Sequence, residues 1–252
     1  MQHQDLPNYG AATYGDRFAD VYDAWHAPTD KDTDAAVAFL AELAGQGRVL
    51  ELGIGTGRVA LPLAARGLDV HGIDASPRMV ERLRAKPGGT QLPVVIGDFA
   101  DVGYDGSFAL VYVVFNTFFA LLSQEEQVRC FAGVTARLDQ GGAFAIEAFV
   151  PDPSRFDRGQ RVQVTELGDA EVRLQASRHD SVTQRVSSQD ILVAAQETRL
   201  YPVQLRYAWP AELDLMARLA GLRLAGRWGD WNREPFTTAS TRHVSVYRKH
   251  AG

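Results

Sequence analysis

Cysteine is almost missing from this sequence: Cys130 is alone among 252 residues. A single thiol builds neither a disulfide framework nor an all-cysteine metal site. Long apolar runs are missing as well, since none approaches the roughly 20 residues that a membrane-spanning helix needs. The start, MQHQDLPNYG, lacks the basic segment and apolar core of a signal peptide. Positive charge is not in excess. Lys and Arg total 26 against 31 Asp and Glu, a formal net charge of -5, which argues against a nucleic-acid binder with its basic stripe. Neither an internal repeat nor a low-complexity stretch is found. What is present is ordinary globular composition, 46% hydrophobic and 23% charged. The length suits one large domain, or one domain with a sizeable insertion. A soluble protein of a reducing compartment, the cytoplasm, is expected.

The first 47 residues lack strand character and are expected to form a helical N-terminal lid. Within them Tyr14, Phe18, Tyr22 and Trp25 are spaced four, four and three apart in YGDRFADVYDAW, and Asp30 to Ala44 reads as a helix. Alternating elements follow. Arg48 to Leu52 is a short apolar strand and Thr56 to Arg66 a helix; Val70 to Ile73 is a second strand, and Ser76-Pro77 opens another helix, with serine as N-cap and proline first. Leu92 to Ile96 is a third strand and Phe108 to Phe115 a fourth, nearly all apolar, as strands buried on both faces of a parallel sheet are. Ser123 to Leu138 is a helix with Glu126 three residues after the serine, a capping-box signature. Gly141-Gly142 reads as a turn into a fifth strand, Ala143 to Phe149.

After Pro151-Asp152-Pro153 the period changes to two. Val162 and Val164, Val172 and Leu174, Val182 and Val186, Ile191 and Val193, and Leu200, Val203 and Leu205 predict antiparallel strands with one wet face. Pro210 to Ala220 is a helix, and Leu222 to Trp228 and His243 to Tyr247 close the chain as strands. The expected fold is α/β: a Rossmann-like, doubly wound, mostly parallel seven-stranded sheet with an antiparallel insertion. Its expected parts are a lid at 1–47, a cofactor-binding core at 48–150, an insertion at 151–209 for substrate or dimer contacts, and a return to the core sheet at 210–252.

The chemistry-bearing segment is VLELGIGTGRVALPLA, residues 49–64, in which a strand runs into Gly53, Gly55 and Gly57 and a helix follows. Glycine serves where backbone turns tightly or approaches a ligand, and a helix N-terminus behind it favours an anion. Spacing discriminates. A dinucleotide fingerprint G-x-G-x-x-G would place its last glycine at Arg58, and no Gly-Lys-Ser/Thr of a P-loop follows. About twenty residues on, the second strand ends in Asp74, placed for ribose hydroxyls. The third ends in Gly97-Asp98-Phe99, a carboxylate beside an aromatic, suited to an adenine; the fourth ends in Phe115-Asn116-Thr117, across the expected switch point.

On these residues the chain resembles class I S-adenosylmethionine-dependent methyltransferases, with ELGIGTG as the first motif, Asp74 as the ribose acid and Gly97-Asp98-Phe99 as the adenine element. The resemblance covers residues 48–149 and the closing segments ELDLMARLAGLRL and HVSVYRK. The aromatic N-terminus and the insertion are similar to the small-molecule branch, aminosugar and natural-product enzymes included. It implies S-adenosyl-L-methionine as cofactor, with Gly53, Gly55 and nearby backbone, Thr56 among it, along the methionine part. Asp74 would take the ribose diol, Asp98 the adenine amino group and Phe99 the adenine edge, with Ala75 against the ribose or adenine and Phe115 and Asn116 beside the cofactor. Met79 reads either as ribose or adenine contact or as core packing. Glu51 reads either as a cofactor contact, direct or through water, or as a buttress of the loop.

Methyl transfer from a sulfonium is an in-line displacement, so the protein mainly aligns the reactants and excludes water. Candidates for the acceptor side are Tyr14 and Tyr22, whose rings suit a cationic sulfonium and equally suit a packed helix face, together with Glu147 and His179 as acid–base groups. Tyr22 is counted on the cofactor side as well. His26 is a possible base on the same footing as His179, each equally open to a structural role, and Trp228, Trp231 and Phe236 are candidate pocket walls or core. Cys130 reads as packing. No tight acidic cluster follows the fourth strand, and Gln124-Glu125-Glu126 suits a helix start, so no metal is expected. The expected activity is methyl transfer to an N or O nucleophile of a small molecule, with no nucleic-acid or membrane partner. A cyclase or rearrangement enzyme using the same cofactor, an NAD(P)-dependent oxidoreductase and a non-catalytic binding module stay as alternatives. An exposed edge in the insertion suits pairing into a homodimer.

Overall fold

The computed structural model describes residues 8–26 and 30–249; the first seven residues, with their expected lack of a leader, lie outside them. Two short helices, Thr13–Phe18 (α1) and Tyr22–Trp25 (α2), precede Asp30–Ala44 (α3). The aromatic spacing of 14–25 predicted one helix, yet the chain turns between Phe18 and Tyr22. The rings pack as a cluster instead: Tyr14 stacks on Phe18 at 4.3 Å, and Phe18 meets Trp25 at 6.1 Å. Helices this short are held by such contacts rather than by propensity.

The core then runs through Val49–Leu52 (β1), Ala60–Ala65 (α4), Val70–Asp74 (β2), Pro77–Arg84 (α5), Val94–Ile96 (β3), Phe108–Val113 (β4), Gln124–Arg137 (α6) and Leu138–Phe149 (β5). Every residue of β1 and β2 is buried, as strands covered on both faces are. Helix α4 starts four residues later than its pattern suggested, because Gly57 holds a left-handed φ of 80°. The expected caps form: the Ser76 side chain accepts the Met79 N–H at 3.2 Å, and Ser123 and Glu126 complete a capping box. Gly141-Gly142 is no turn between elements. It lies inside β5, where pairing with β4 jumps from Phe108↔Leu138 to Leu110↔Ala143, so the glycines absorb an irregularity in the ladder.

The insertion is a second sheet of four antiparallel strands in chain order, Gln160–Leu167 (β6), Glu171–Asp180 (β7), Arg185–Ala194 (β8) and Thr198–Arg206 (β9). Val182, read as a strand residue, sits instead in the β7–β8 turn and is 90% exposed. Helix Pro210–Leu219 (α7) and strands Leu222–Trp228 (β10) and Arg242–Lys249 (β11) return to the first sheet, whose order is β10-β11-β5-β4-β1-β2-β3. Only β11 runs against the rest. One apolar cluster fills each face: Phe131, Phe144, Leu213 and Tyr247 on the α6–α7 side, and Val37, Leu40, Leu63 and Val244 on the α3–α4 side. A third, smaller cluster joins Phe18 of the lid, Met79 of α5, and Leu192 and Tyr201 of the insertion. No helix among the described residues is long and apolar enough to cross a membrane. Since β1 lies between β2 and β4, the chain changes direction there, and a crevice opens at the strand ends.

Candidate active site

At the end of β1, Gly53, Gly55 and Gly57 all take positive φ, 71°, 56° and 80°. A Cβ on Gly53 would lie 2.5 Å from Thr117 Cγ2, whereas one on Gly55 would meet nothing nearer than the Gly53 carbonyl at 3.9 Å. Gly55 is therefore the open side of the loop. At the end of β2 the Asp74 carboxylate accepts the Gly55 N–H at 2.7 Å and the Ser76 N–H at 2.8 Å, one on each oxygen. Burial raises its pKa, and those two N–H groups oppose the rise. Beneath the loop, Glu51 is fully enclosed and accepts the Tyr112 hydroxyl at 2.8 Å. Desolvation pushes its pKa up to about 8.

At the end of β3, Asp98 accepts the Ala100 N–H at 2.8 Å, which fixes the carboxylate next to Phe99. Beyond β4, Phe115 and Asn116 are two successive non-glycine residues at left-handed φ, 54° and 67°. Such backbone persists only where surroundings over-determine it. Here the Phe115 N–H donates to the Glu147 carboxylate at 3.0 Å, and the Phe149 N–H donates to the Asn116 side chain at 2.6 Å. The Arg58 guanidinium lies 3.3 Å from the centre of the Phe115 ring and donates to the His26 carbonyl at 3.0 Å.

The lid is stapled over this floor by its acids. Asp16 accepts the Ser76 hydroxyl at 2.6 Å, and Asp20 pairs with Arg82 and, at 2.7 Å, with Arg78. Asp23 accepts the Thr56 hydroxyl at 2.6 Å. The Tyr14 hydroxyl lies 3.4 Å from His26 Nε2. Burial lowers the His26 pKa to about 4, helped by Arg58 and Arg173, so the imidazole is neutral near pH 7. Burial raises the pKa of both Tyr14 and Tyr22.

Together these elements enclose a cavity of about 790 Å³, within the range of small-molecule sites. Of the cofactor-side and acid–base candidates, Tyr14, Tyr22, His26, Gly53, Gly55, Asp74, Ala75, Met79, Asp98, Phe99, Phe115, Asn116 and Glu147 line it. Three do not. Glu51 and Thr56 line a recess of about 20 Å³ behind the loop. His179 lies outside both: its Nε2 is 2.9 Å from the Tyr207 hydroxyl and its ring stacks on Phe156, which corrects its expected place beside the acceptor. Of the two readings of Trp228 and Trp231, core packing holds: both pack against Phe39 at 5.4 Å and neither lines the cavity. Phe236 packs near His243. Cys130 is buried in α6, as expected of packing.

The family described as a methyltransferase domain matches residues 49–142. The cypemycin N-terminal methyltransferase of a Streptomyces species is 33% identical over 204 residues, covering 80% of this chain and 82% of that protein. The chain belongs to the S-adenosylmethionine-dependent methyltransferases. The solved CcbJ methyltransferase of Streptomyces caelestis is 43% identical, with a TM-score of 0.90 over 96% of this chain and 100% of that one. The solved structure of CalS10 with S-adenosylmethionine bound, an amino pentose methyltransferase of Micromonospora echinaspora, shares the fold at 21% identity. Its TM-score is 0.67 over 98% of this chain and 100% of that one.

In the methyltransferase Gly55 leaves open space at backbone distance, and Asp74 and Asp98, each held by backbone N–H groups, line the cavity. Sequence reasoning missed Tyr9, Gln175, Asp190 and Arg242, which also line the methyltransferase's cavity. Asp190 sat in an alternating run whose signal was the apolar half of the pattern. Arg58 was weighed only as a missing glycine. Among the described residues, no group of three or more His, Cys, Asp and Glu is placed to hold a metal ion.

Proposed function

We propose that this methyltransferase transfers the methyl of S-adenosylmethionine to the nitrogen of a small-molecule amine. The observation that carries the reading is the single cavity: a ribose- and adenine-type floor at Asp74, Asp98 and Phe99 continues into a chamber under Tyr14, Tyr22 and Glu147. In this reading Asp74 holds the ribose hydroxyls, Asp98 the adenine amino group and Phe99 its edge. Gly53, Gly55, Ala75, Phe115 and Asn116 shape the bed, and Met79 packs beside it. Glu51 and Thr56 act from behind the loop, as buttress and lid latch. The lid and the insertion choose the acceptor.

The bound sulfonium supplies an already activated methyl. The protein's part is alignment and exclusion of water, to which the walls of the cavity contribute. A hydroxyl acceptor would need a base. With a pKa near 4 His26 is too weak a base to hold a proton near pH 7, Tyr14 and Tyr22 are pushed away from phenolate, and one oxygen of Glu147 already accepts the Phe115 N–H. A neutral amine needs none of them, which favours nitrogen over oxygen. The names of the cypemycin N-terminal and amino pentose enzymes point the same way.

The test is calorimetric titration with S-adenosylmethionine, its demethylated product, NAD and NADP, followed by labelled methyl transfer across amines, phenols and sugar hydroxyls. Binding of the sulfonium with label on amine products supports the reading. Label on oxygen alone overturns the choice of nitrogen, and a product without label points to a cyclisation or rearrangement. The reading also includes a second copy of the chain against β6, the outer strand whose Val162 and Val164 are exposed; light scattering decides it.

A further inference from the structure

A polar rung crosses the insertion sheet. Gln163 of β6 pairs with Gln175 of β7, Gln175 with Asp190 of β8, and Asp190 with Tyr201 of β9. Directly paired residues of antiparallel strands point to the same face, and this is the face on which Tyr201 packs against the lid residues Phe18 and Trp25. The side chains are joined along the rung: Gln163 Nε2 donates to Gln175 Oε1 at 3.2 Å, and Gln175 Nε2 donates to Asp190 Oδ1 at 2.8 Å.

The direction of that chain is forced. An ionised carboxylate only accepts, so the Gln175 amide nitrogen faces Asp190, its oxygen faces Gln163, and Gln163 donates in turn. Every bond runs toward the cavity and stops at Asp190, a residue that lines it. Among the described residues no hydrogen bond reaches the other oxygen of Asp190. Arg173, whose charge acts on Asp190, makes its ion pair with Glu166 and lies over the Trp25 ring at 4.5 Å. A half-buried carboxylate, held from behind and open in front, is complementary to a hydrogen-bond donor.

We propose that Asp190, positioned by Gln175 and Gln163, is a specificity-determining residue that binds a hydrogen-bond donor of the acceptor other than the nitrogen to be methylated. This rests on the amine reading above. The donor is a hydroxyl or a second ammonium. Asparagine at 190 separates them, because it keeps an acceptor oxygen for a hydroxyl and removes the charge that an ammonium needs.

The experiment uses matched probes: an amino sugar with its deoxy analogue, and a diamine with the corresponding monoamine. Steady-state methyl transfer is measured, and so is affinity for protein loaded with the demethylated cofactor. Wild type should prefer the donor-bearing member of a pair by about 10- to 100-fold, the scale of a hydrogen bond to a charged group. Asp190→Ala should bring that preference within about threefold while cofactor affinity stays unchanged; the loss should appear in KM more than in kcat. Asp190→Asn should retain most of it for a hydroxyl donor and lose it for an ammonium. Gln175→Leu, which leaves the carboxylate but frees it to rotate, should give a smaller loss in the same direction. A preference that survives Asp190→Ala, or a wild type indifferent to the donor, overturns the proposal. Turnover of donor-lacking amines alone removes it and leaves the amine reading standing. If no probe is methylated and none binds, both fall.

Discussion

The Thr56 hydroxyl, in the glycine loop, donates to the Asp23 carboxylate of α2 at 2.6 Å, and Lys86 reaches the same carboxylate at 2.8 Å. The glycine loop and the N-terminal helical segment thus share one side chain. In the reading proposed above, this contact between residues 33 positions apart couples closure over the acceptor to the cofactor loop.

Asp23→Ala should therefore act on closure more than on folding. Its partner Lys86 is about a third exposed and Asp23 half exposed, so the direct loss of stability should stay below about 1 kcal/mol. Amide exchange in residues 13–26 should accelerate, and affinity for S-adenosylmethionine should fall by about fivefold, the equivalent of roughly 1 kcal/mol. Hydrogen-exchange mass spectrometry checks the first and calorimetry the second. Unchanged exchange in the lid would remove the latch.

Asp74→Ala should be more severe. It removes the proposed ribose acceptor and also leaves the Gly55 and Ser76 N–H groups without their partner. Cofactor affinity should drop by at least about 10- to 100-fold, the scale of a charged hydrogen bond. Asp74→Asn keeps one acceptor oxygen and should lose less. An unchanged dissociation constant for the alanine variant would sink the assignment.

The cofactor half of the molecule was legible because its signals are local. Gly53, Gly55, Asp74 and Asp98-Phe99 each sit at the end of an apolar strand, where the chain itself puts them into one crevice. The acceptor half was less legible because its contacts depend on how separate pieces meet. Asp190 and Gln175 are ordinary wet-face residues until the lid covers that face, and His179, open in the sequence to a base or a structural reading, is half-buried against Tyr207 and Phe156. The split of the lid into α1 and α2 has the same origin: ring packing on Tyr201 overrides a spacing that would suit one helix.

Glu51 makes a prediction about pH. Its pKa is about 8 in the folded protein against 4.5 for the ordinary side chain, so between those values the folded state holds a proton that the unfolded state has released. Stability then falls as pH rises through that window. Asp74 and Glu147, also raised by burial, add to the same slope at its acid end. Glu51→Gln keeps an acceptor for the Tyr112 hydroxyl and cannot ionise. Urea unfolding midpoints measured between about pH 5 and pH 8 should decline less steeply for this variant than for wild type. Parallel declines would show that Glu51 stays ionised in the folded chain.

Glu147 separates positioning from proton transfer. Its carboxylate accepts the Phe115 N–H at 3.0 Å and faces Arg242 at 3.6 Å, so it pins the left-handed turn that carries Phe115 and Asn116 into the cavity. If that is its task, Glu147→Gln, which retains the acceptor oxygen, should lower kcat by less than tenfold with an amine acceptor and leave the pH profile of kcat in place. Glu147→Leu leaves a buried N–H without a partner, and should cost about 1–3 kcal/mol of stability together with a larger loss of kcat. A proton-accepting role predicts the reverse ranking of effects on rate: glutamine as damaging as leucine, with the acid limb of the profile abolished in both. Matched kcat–pH profiles and unfolding curves for the two variants decide between them.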